Sequence, residues 1–208
     1  MWLSVLLTVV IGYLLGNLNG SVCVSAMMHD DVRRHGSGNA GLTNFIRNYG
    51  AGRALLVILI DAGKAVLACL IGGLLLNRYN MYLEGTAIGG VALMLGHDFP
   101  ALLGFKGGKG ILSGLFVAIM LDWRIAVLIL AVFAVAYFAT RYVSLGSVLA
   151  AVAFGVGFVA LYRENLCVLL CGVFMGALTV FMHRSNIQRL LKGEERKTDL
   201  FAKGKSEE

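Results

Sequence analysis

The chain has 208 residues, of which 58% are apolar and only 14% are charged. This balance excludes an ordinary soluble domain and is typical of a protein whose helices cross a lipid bilayer. The net charge of +6 comes without an RNA-binding motif, so we expect no nucleic-acid partner.

Seven apolar segments predict an all-α integral membrane protein, a bundle of about seven transmembrane helices. They cover residues 2–28, 54–76, 81–100, 108–121, 123–139, 143–161 and 166–182. The first, second, third and sixth approach the roughly 20 residues that a bilayer requires, whereas the fourth and seventh are short. Either the fourth helix is thin, or the loop before it dips below the lipid headgroups. No linker interrupts the chain, so we predict a single domain over residues 1–208.

The lysines and arginines predict the orientation of the helices. Residues 1–28 carry no charge, so a cleavable signal peptide, which starts with basic residues, is not expected. With the N-terminus outside, fourteen Lys and Arg residues face the cytoplasm and three face outward, while Lys64 lies inside the second segment. Because cytoplasmic loops are enriched in these residues, we predict a cytoplasmic C-terminus, with residues 183–208 as a juxtamembrane tail.

The first polar loop, residues 36–44, is rich in glycine and is followed by Arg47. Glycine permits unusual backbone angles, and Ser, Asn and Thr add hydroxyl and amide groups, a combination that suits an anion. An ordinary glycine-rich turn is the alternative. The candidate residues in this loop are Ser37, Asn39, Gly41, Thr43 and Asn44.

Two charged residues, Asp61 and Lys64, lie three positions apart within the second apolar segment. Because charges cost free energy in lipid, we expect these side chains to pair with each other or to face the bundle interior. We interpret the pair as a brace for a nearby site, with direct substrate contact as the alternative.

The second polar loop sets two lysines among three glycines, over residues 106–110, between two apolar stretches. This arrangement predicts a backbone cradle for phosphate, with the cations of Lys106 and Lys109 above it. The alternative is that the lysines anchor the chain among the lipid headgroups. The glycines on both sides of Lys109 argue against that alternative.

The third polar segment begins at His183, directly after the last apolar segment. In a continuing helix His183 and Asn186 share a face, and the imidazole could act as a base or as a hydrogen-bond donor. The segment is also typical of a basic tail that binds membrane lipids, and both interpretations can hold. In the predicted topology all three polar segments reach the cytoplasmic side, where they predict one phosphate-binding site.

Together these motifs resemble those of the bacterial acyl-phosphate-dependent glycerol-3-phosphate acyltransferases, the PlsY family. Leu42 and Leu112 are larger than the residues usual in that family, so the acyl-chain preference could differ. The matching parts run in the family's order over nearly the whole length: residues 36–44 with Arg47, Asp61 with Lys64, residues 96–100, residues 105–110 and residues 183–190.

The resemblance implies transfer of an acyl group from acyl phosphate to the 1-hydroxyl of glycerol 3-phosphate, giving lysophosphatidic acid and phosphate. This is the first acylation of phospholipid biosynthesis, at the cytoplasmic face of the bacterial inner membrane, and we expect no metal or cofactor. The implied catalytic residues are Ser37, Lys109, His183 and Asn186. The implied substrate-binding residues are Asn39, Gly41, Thr43, Asn44, Arg47, Lys106, Gly107 and Gly108, supported by Asp61, Lys64 and His97.

Three questions stay open from the sequence. Either His183 removes the hydroxyl proton, or the oxyanion of the acyl phosphate takes it and His183 only binds substrate; we favour the second route. The alternative function is membrane transport of phosphate or organophosphate, but transporters normally bind near the midplane and within repeats. The oligomeric state is open, a monomer included.

Overall fold

The computed structural model describes residues 1–198, which form a bundle of α-helices with no strand among them. The predicted all-α class is therefore confirmed, while residues 199–208 of the predicted tail lie outside the described residues. The helices are α1 Trp2–Asn17, α2 Gly20–Ala26, α3 Leu42–Tyr49, α4 Ala54–Asn77, α5 Tyr82–Asp98, α6 Ile111–Leu121, α7 Trp123–Thr140, α8 Val143–Leu161, α9 Leu166–Met182 and α10 Arg184–Leu191. Short 3₁₀ helices at Val32–Arg34 and Ala101–Leu103 join some of them.

Four helical segments in the described residues are long and apolar enough to cross a membrane: α4, α7, α8 and the segment Tyr82–Leu103 that contains α5. The number rises to six if each of two bent pairs counts as one span, α1 with α2 at 43° and α9 with α10 at 55°. The predicted fourth span is the 11-residue α6. At a rise of about 1.5 Å per residue, α6 is only about half as long as the hydrocarbon core is thick.

Helix α5 is the centre of the bundle, and it packs against α1, α4, α6 and α9. Small residues make this packing close. A Cβ atom at Gly16 would overlap the backbone of Gly96, and one at Gly72 would overlap the backbone of Gly85. Helices in lipid associate through such close backbone contacts, because no hydrophobic effect drives them together. The spacing of small residues in the sequence is thus explained by helix packing.

The predicted first span is wrong as a single helix over residues 2–28, because the chain breaks between α1 and α2. A break within a membrane helix leaves backbone groups without intrahelical partners. Here α4 supplies partners: the ammonium of Lys64 donates to the carbonyl of Leu18 at 2.6 Å, and Asp61 Oδ1 accepts from the backbone N–H of Gly20 at 3.1 Å. The buried charges of α4 therefore stabilise the bent first pair.

Candidate functional site

One cavity of about 570 Å³ receives residues from all three predicted polar segments. The first and the third of these segments are more than 140 positions apart in the sequence, so only the fold brings them together. The predicted site residues that line the cavity are Ser37, Asn39, Gly41, Thr43, Asn44, Arg47, Asp61, His97, Lys109, His183 and Asn186.

The cavity continues from this polar region into an apolar one. Along α9 its lining runs from His183 through Thr179 to Met175, which at 1.5 Å per residue is a length of about 12 Å. Helices α6, α7 and α8 close the apolar region. Their apolar lining residues are Ile111, Leu112, Leu115, Ile129, Leu130, Phe133, Val143, Ala150, Ala151 and Phe154.

The side chain of Asn44 organises the first polar loop. Its Oδ1 accepts the backbone N–H of Ser37 at 3.0 Å, and its Nδ2 lies 3.0 Å from the carbonyl oxygen of Asn39 and 3.1 Å from those of Val32 and His35. Both ends of the amide are therefore engaged within the loop. The side chain of Asn44 therefore holds the loop in shape, and its predicted role in binding substrate stays a prediction.

Lys109 lies in the loop between α5 and α6, outside the spanning helices, and its ammonium donates to Oδ1 of Asn186. Burial, together with the nearby positive charge of Arg189, lowers the pKa of Lys109 to about 8. A partly desolvated ammonium next to other cations attracts an anion strongly, because few water molecules compensate its charge.

Gly110 also lines the cavity, whereas Lys106, Gly107 and Gly108 do not. Gly107 and Gly108 press against the end of α5, where a Cβ at Gly107 would lie 2.6 Å from Cδ of Pro100 and one at Gly108 would meet the ring of His97. Close packing requires these glycines, and the substrate contact predicted for both stays a prediction. Lys106 is exposed and lines a separate surface pocket, also formed by Arg34 and Leu103.

Residue His183 caps the C-terminal end of α9 with its ring buried, at 5% exposure. Its Nδ1 lies 2.8 Å from the carbonyl oxygen of Thr179. A carbonyl only accepts hydrogen bonds, so Nδ1 carries the proton and Nε2 of the neutral ring is an acceptor. The imidazole is thus fixed in the tautomer that can accept a hydrogen bond from a substrate hydroxyl.

Asp61, Lys64 and His97 form a buried network beside the cavity. Nζ of Lys64 lies 2.8 Å from Asp61 Oδ1 and 2.7 Å from Nδ1 of His97. The expected pairing of Asp61 with Lys64 is confirmed. The backbone carbonyl of His97 in turn accepts the N–H of Gly108 at 3.0 Å. The network therefore connects α4 and α5 to the loop that carries Lys109.

Several residues that line the cavity were not predicted from the sequence. Arg189, Glu195 and Arg196 follow the last apolar segment and contribute to the lining. Arg189 belongs to the third polar segment, where its type does not distinguish it from the neighbouring basic residues. Glu195 and Arg196 have the sequence context of a charged, solvated tail. Among the described residues, no cluster of three or more His, Cys, Asp or Glu side chains could hold a metal ion.

Comparison with protein families gives a match over nearly the whole chain. The family model described as glycerol-3-phosphate acyltransferase matches residues 6–193. Curated relatives with that description include one from Synechococcus sp. (strain CC9902), 37% identical over 99% of this chain and 100% of the relative. Another, from Mesorhizobium japonicum, is 38% identical over 97% of this chain and 98% of the relative.

Comparison with solved structures gives the same family. The chain is similar to PlsY (YgiH), an integral membrane glycerol 3-phosphate acyltransferase, in its glycerol 3-phosphate form, with a TM-score of 0.84 and 32% identity. That match covers 96% of this chain and 100% of the other. The lysophosphatidic acid form of PlsY gives a TM-score of 0.81 and 34% identity, covering 95% of this chain and 96% of the other.

Proposed function

The chain belongs to the glycerol-3-phosphate acyltransferase family and acylates glycerol 3-phosphate to lysophosphatidic acid, and we propose that the acyl donor is an acyl phosphate. The 1-hydroxyl oxygen of glycerol 3-phosphate bonds to the acyl carbonyl carbon. The bond from that carbon to the phosphate oxygen breaks, and inorganic phosphate leaves with the electron pair. The reaction proceeds within a single membrane domain that spans residues 1–208.

One observation carries the proposal: a single cavity combines cationic and amide groups with a long apolar lining. Arg47, Lys109 and Arg189 suit the phosphate groups of two anionic substrates. The apolar lining between α6 and α9 suits an acyl chain, whose burial is favourable in proportion to its area. A cavity of this composition fits one substrate with a phosphate head and an acyl tail beside a second, fully polar one.

Glycerol 3-phosphate is assigned to the polar region. Its phosphate lies near Arg47, Lys109 and Asn186, and its hydroxyl groups lie near Ser37 and His183. This assignment follows from the half-buried cation of Lys109, its hydrogen bond to Asn186 and the acceptor nitrogen of His183. Fixed orientation of two reactants lowers a barrier by roughly 7–11 kcal/mol in favourable cases, and it is the main contribution expected of this site.

The acyl phosphate is assigned to the first polar loop. Asn39, Gly41 and Thr43 line the cavity there, in a loop whose shape Asn44 holds. The backbone of this loop turns through Gly36 and Gly38, both at positive φ. Donors fixed in this way stabilise the charge that develops on the carbonyl oxygen without having to reorganise during the reaction.

The proton of the attacking hydroxyl passes to an oxygen of the departing phosphate. His183 accepts the hydroxyl through Nε2 and orients it, and Asp61, Lys64 and His97 support the loop that carries Lys109. The substrate phosphate is a sufficient proton acceptor, because its oxyanion is already next to the reacting centre. Nδ1 of His183 donates to a backbone carbonyl, and no carboxylate within residues 1–198 is bonded to it.

The active site lies on the cytoplasmic face of the bacterial inner membrane, and the N-terminus lies on the outer side. Fourteen of the lysines and arginines lie in segments assigned to the cytoplasm, which supports this orientation. The test is a pair of reporter fusions. Green fluorescent protein after residue 192 should fluoresce, and alkaline phosphatase after Asn80 should be active; the reverse pattern would contradict the orientation.

The donor is tested with the purified full-length chain in phospholipid micelles. Palmitoyl phosphate or palmitoyl-CoA is supplied at equal concentration with glycerol 3-phosphate, and lysophosphatidic acid is measured. The proposal predicts product from palmitoyl phosphate alone. Product formed from palmitoyl-CoA at a comparable rate would contradict it.

A further inference from the structure

The segment that follows α10 contributes Glu195 and Arg196 to the lining of the cavity, and we call residues 194–198 the strap. The chain leaves α10 through Gly193, at φ +71. Hydrogen bonds fix this exit, from the N–H of Gly193 to the carbonyl of Leu190 at 3.1 Å and from the N–H of Glu194 to that of Arg189 at 2.8 Å. The strap therefore starts in a defined direction rather than continuing outward from the helix.

The far end of the strap is held by Thr198. Its N–H donates to the carbonyl of Arg141, in the turn between α7 and α8, at 3.0 Å. Its carbonyl accepts the hydroxyl of Tyr137 at 3.1 Å, and its own hydroxyl accepts from Arg47. The strap is thus attached at both ends, to α10 and to the α7–α8 turn, with Glu195 between the attachments.

The carboxylate of Glu195 occupies the cationic region of the cavity. Its Oε1 accepts from Nδ2 of Asn186 at 3.1 Å, and its Oε2 accepts from Nε of Arg189 at 2.8 Å. The side chain of Glu195 is only 6% exposed, and Asn186 is also the partner of Lys109. A carboxylate thus binds donors that belong to the group assigned to substrate phosphate.

Phosphate and carboxylate oxygens compete for the same donors. Both accept charge-assisted hydrogen bonds from guanidinium groups, and like charges brought close together repel each other in a partly desolvated site. We propose that Glu195 is an internal ligand that holds Asn186 and Arg189 and that the phosphate of glycerol 3-phosphate displaces. This inference rests on the proposed function, because it takes these donors as part of the phosphate-binding site.

Displacement requires only a local movement. The attachments at Gly193 and Thr198 are made by backbone groups, so the side chain of Glu195 can leave while both ends of the strap stay in place. Arg196, the next residue, also lines the cavity. After displacement the strap would still contribute a cation to the region that holds the phosphate.

The test is direct binding of glycerol 3-phosphate to the detergent-solubilised full chain, by titration calorimetry without an acyl donor. Glu195→Gln keeps the shape of the side chain and removes the competing charge. We expect its Kd to fall roughly 3- to 10-fold, the size of a partly solvated charge-assisted contact. Glu194→Gln, with the same change of net charge at an exposed neighbouring position, should bind like the wild type.

A kinetic measurement separates competition from a purely structural role. In Glu195→Gln the KM for glycerol 3-phosphate should fall while kcat changes little, because the lost contact opposes binding. Thr198→Ala, which frees Arg47 from the strap, should tighten binding in the same direction and serves as a second variant. Unchanged or weaker binding in Glu195→Gln would overturn the inference.

Failure of the phosphate site itself has a different signature. Lys109→Ala should bind glycerol 3-phosphate much more weakly than the wild type. If Lys109→Ala binds as well as the wild type, both the site assignment and the proposed role of Glu195 are contradicted. If Lys109→Ala binds more weakly and Glu195→Gln does not bind more tightly than the wild type, only the inference about Glu195 is contradicted.

Discussion

Lys109 shows how the protein adjusts a single cation. Burial and the positive charge of Arg189 lower its pKa to about 8, while Glu195 acts in the opposite direction. Arg184 and Arg47 add to the lowering. A lysine with a depressed pKa is charged below that pKa and loses its proton as the pH rises through it. The free enzyme should therefore lose its affinity for phosphate on the alkaline side.

The first prediction concerns this pH dependence. The kcat/KM for glycerol 3-phosphate should fall above about pH 8, because this ratio reports the ionisation of the free enzyme. Lys109→Arg keeps its charge at any accessible pH, so its alkaline limb should move to higher pH or disappear. Identical alkaline limbs in the wild type and Lys109→Arg would show that another group controls the profile.

The second prediction concerns His183. If its Nε2 orients the hydroxyl and the phosphate takes the proton, His183→Ala should raise the KM for glycerol 3-phosphate with a small change in kcat. A general base would instead contribute about 10²–10⁴-fold to kcat, and a loss of that size at unchanged KM would contradict the account. His35→Ala is the matched control, because His35 is exposed and does not line the cavity.

At the residue scale, the sequence predicts which segments contribute to the site better than what each side chain does. Ser37, Arg47 and Lys109 line the cavity because polar residues in a membrane protein cluster where the lipid is absent. The role of Asn44 could not be read from its type, since an amide can equally bind a ligand or the backbone of its own loop. Lys106 and Lys109 have similar neighbours in sequence, and only the fold separates them.

At the scale of elements, the buried charges of α4 explain the broken first span. Asp61 and Lys64 are 2% and 3% exposed. They form hydrogen bonds with backbone groups that the break between α1 and α2 leaves without intrahelical partners. An averaged hydropathy profile predicts the apolar segment but hides a break of two residues. The partners that make the break tolerable lie more than forty positions away, so local sequence could not reveal it.

The third prediction concerns the stability of this arrangement. Asp61→Asn leaves the ammonium of Lys64 buried without a countercharge, which should lower the free energy of unfolding by about 3 kcal/mol or more. The measurement is equilibrium unfolding of the full chain in mixed micelles. The double variant Asp61→Asn with Lys64→Met should lose less than the sum of the two single variants. Additive losses would mean that the two charges do not interact.

At the scale of the whole molecule, function depends on one cavity that joins distant parts of the chain. Its polar region could be predicted, because loops rich in glycine and cations are rare among apolar helices. Its apolar region could not, since Phe133 and Phe154 lie on helices that are apolar over most of their length. Hydropathy alone does not distinguish a face toward an acyl chain from a face toward lipid. The position of the strap could not be predicted either, because nothing in the sequence distinguishes Glu195 from the other charged residues of a solvated tail.

The central claim is that one site, which contains Lys109, transfers an acyl group to glycerol 3-phosphate. The most direct test is release of inorganic phosphate from palmitoyl phosphate, with and without glycerol 3-phosphate, by the wild type, Lys109→Ala and Lys106→Ala. We predict release that requires glycerol 3-phosphate, falls about 10²-fold or more in Lys109→Ala and stays near the wild-type rate in Lys106→Ala. Release without glycerol 3-phosphate, or equal rates in the two lysine variants, would contradict the account.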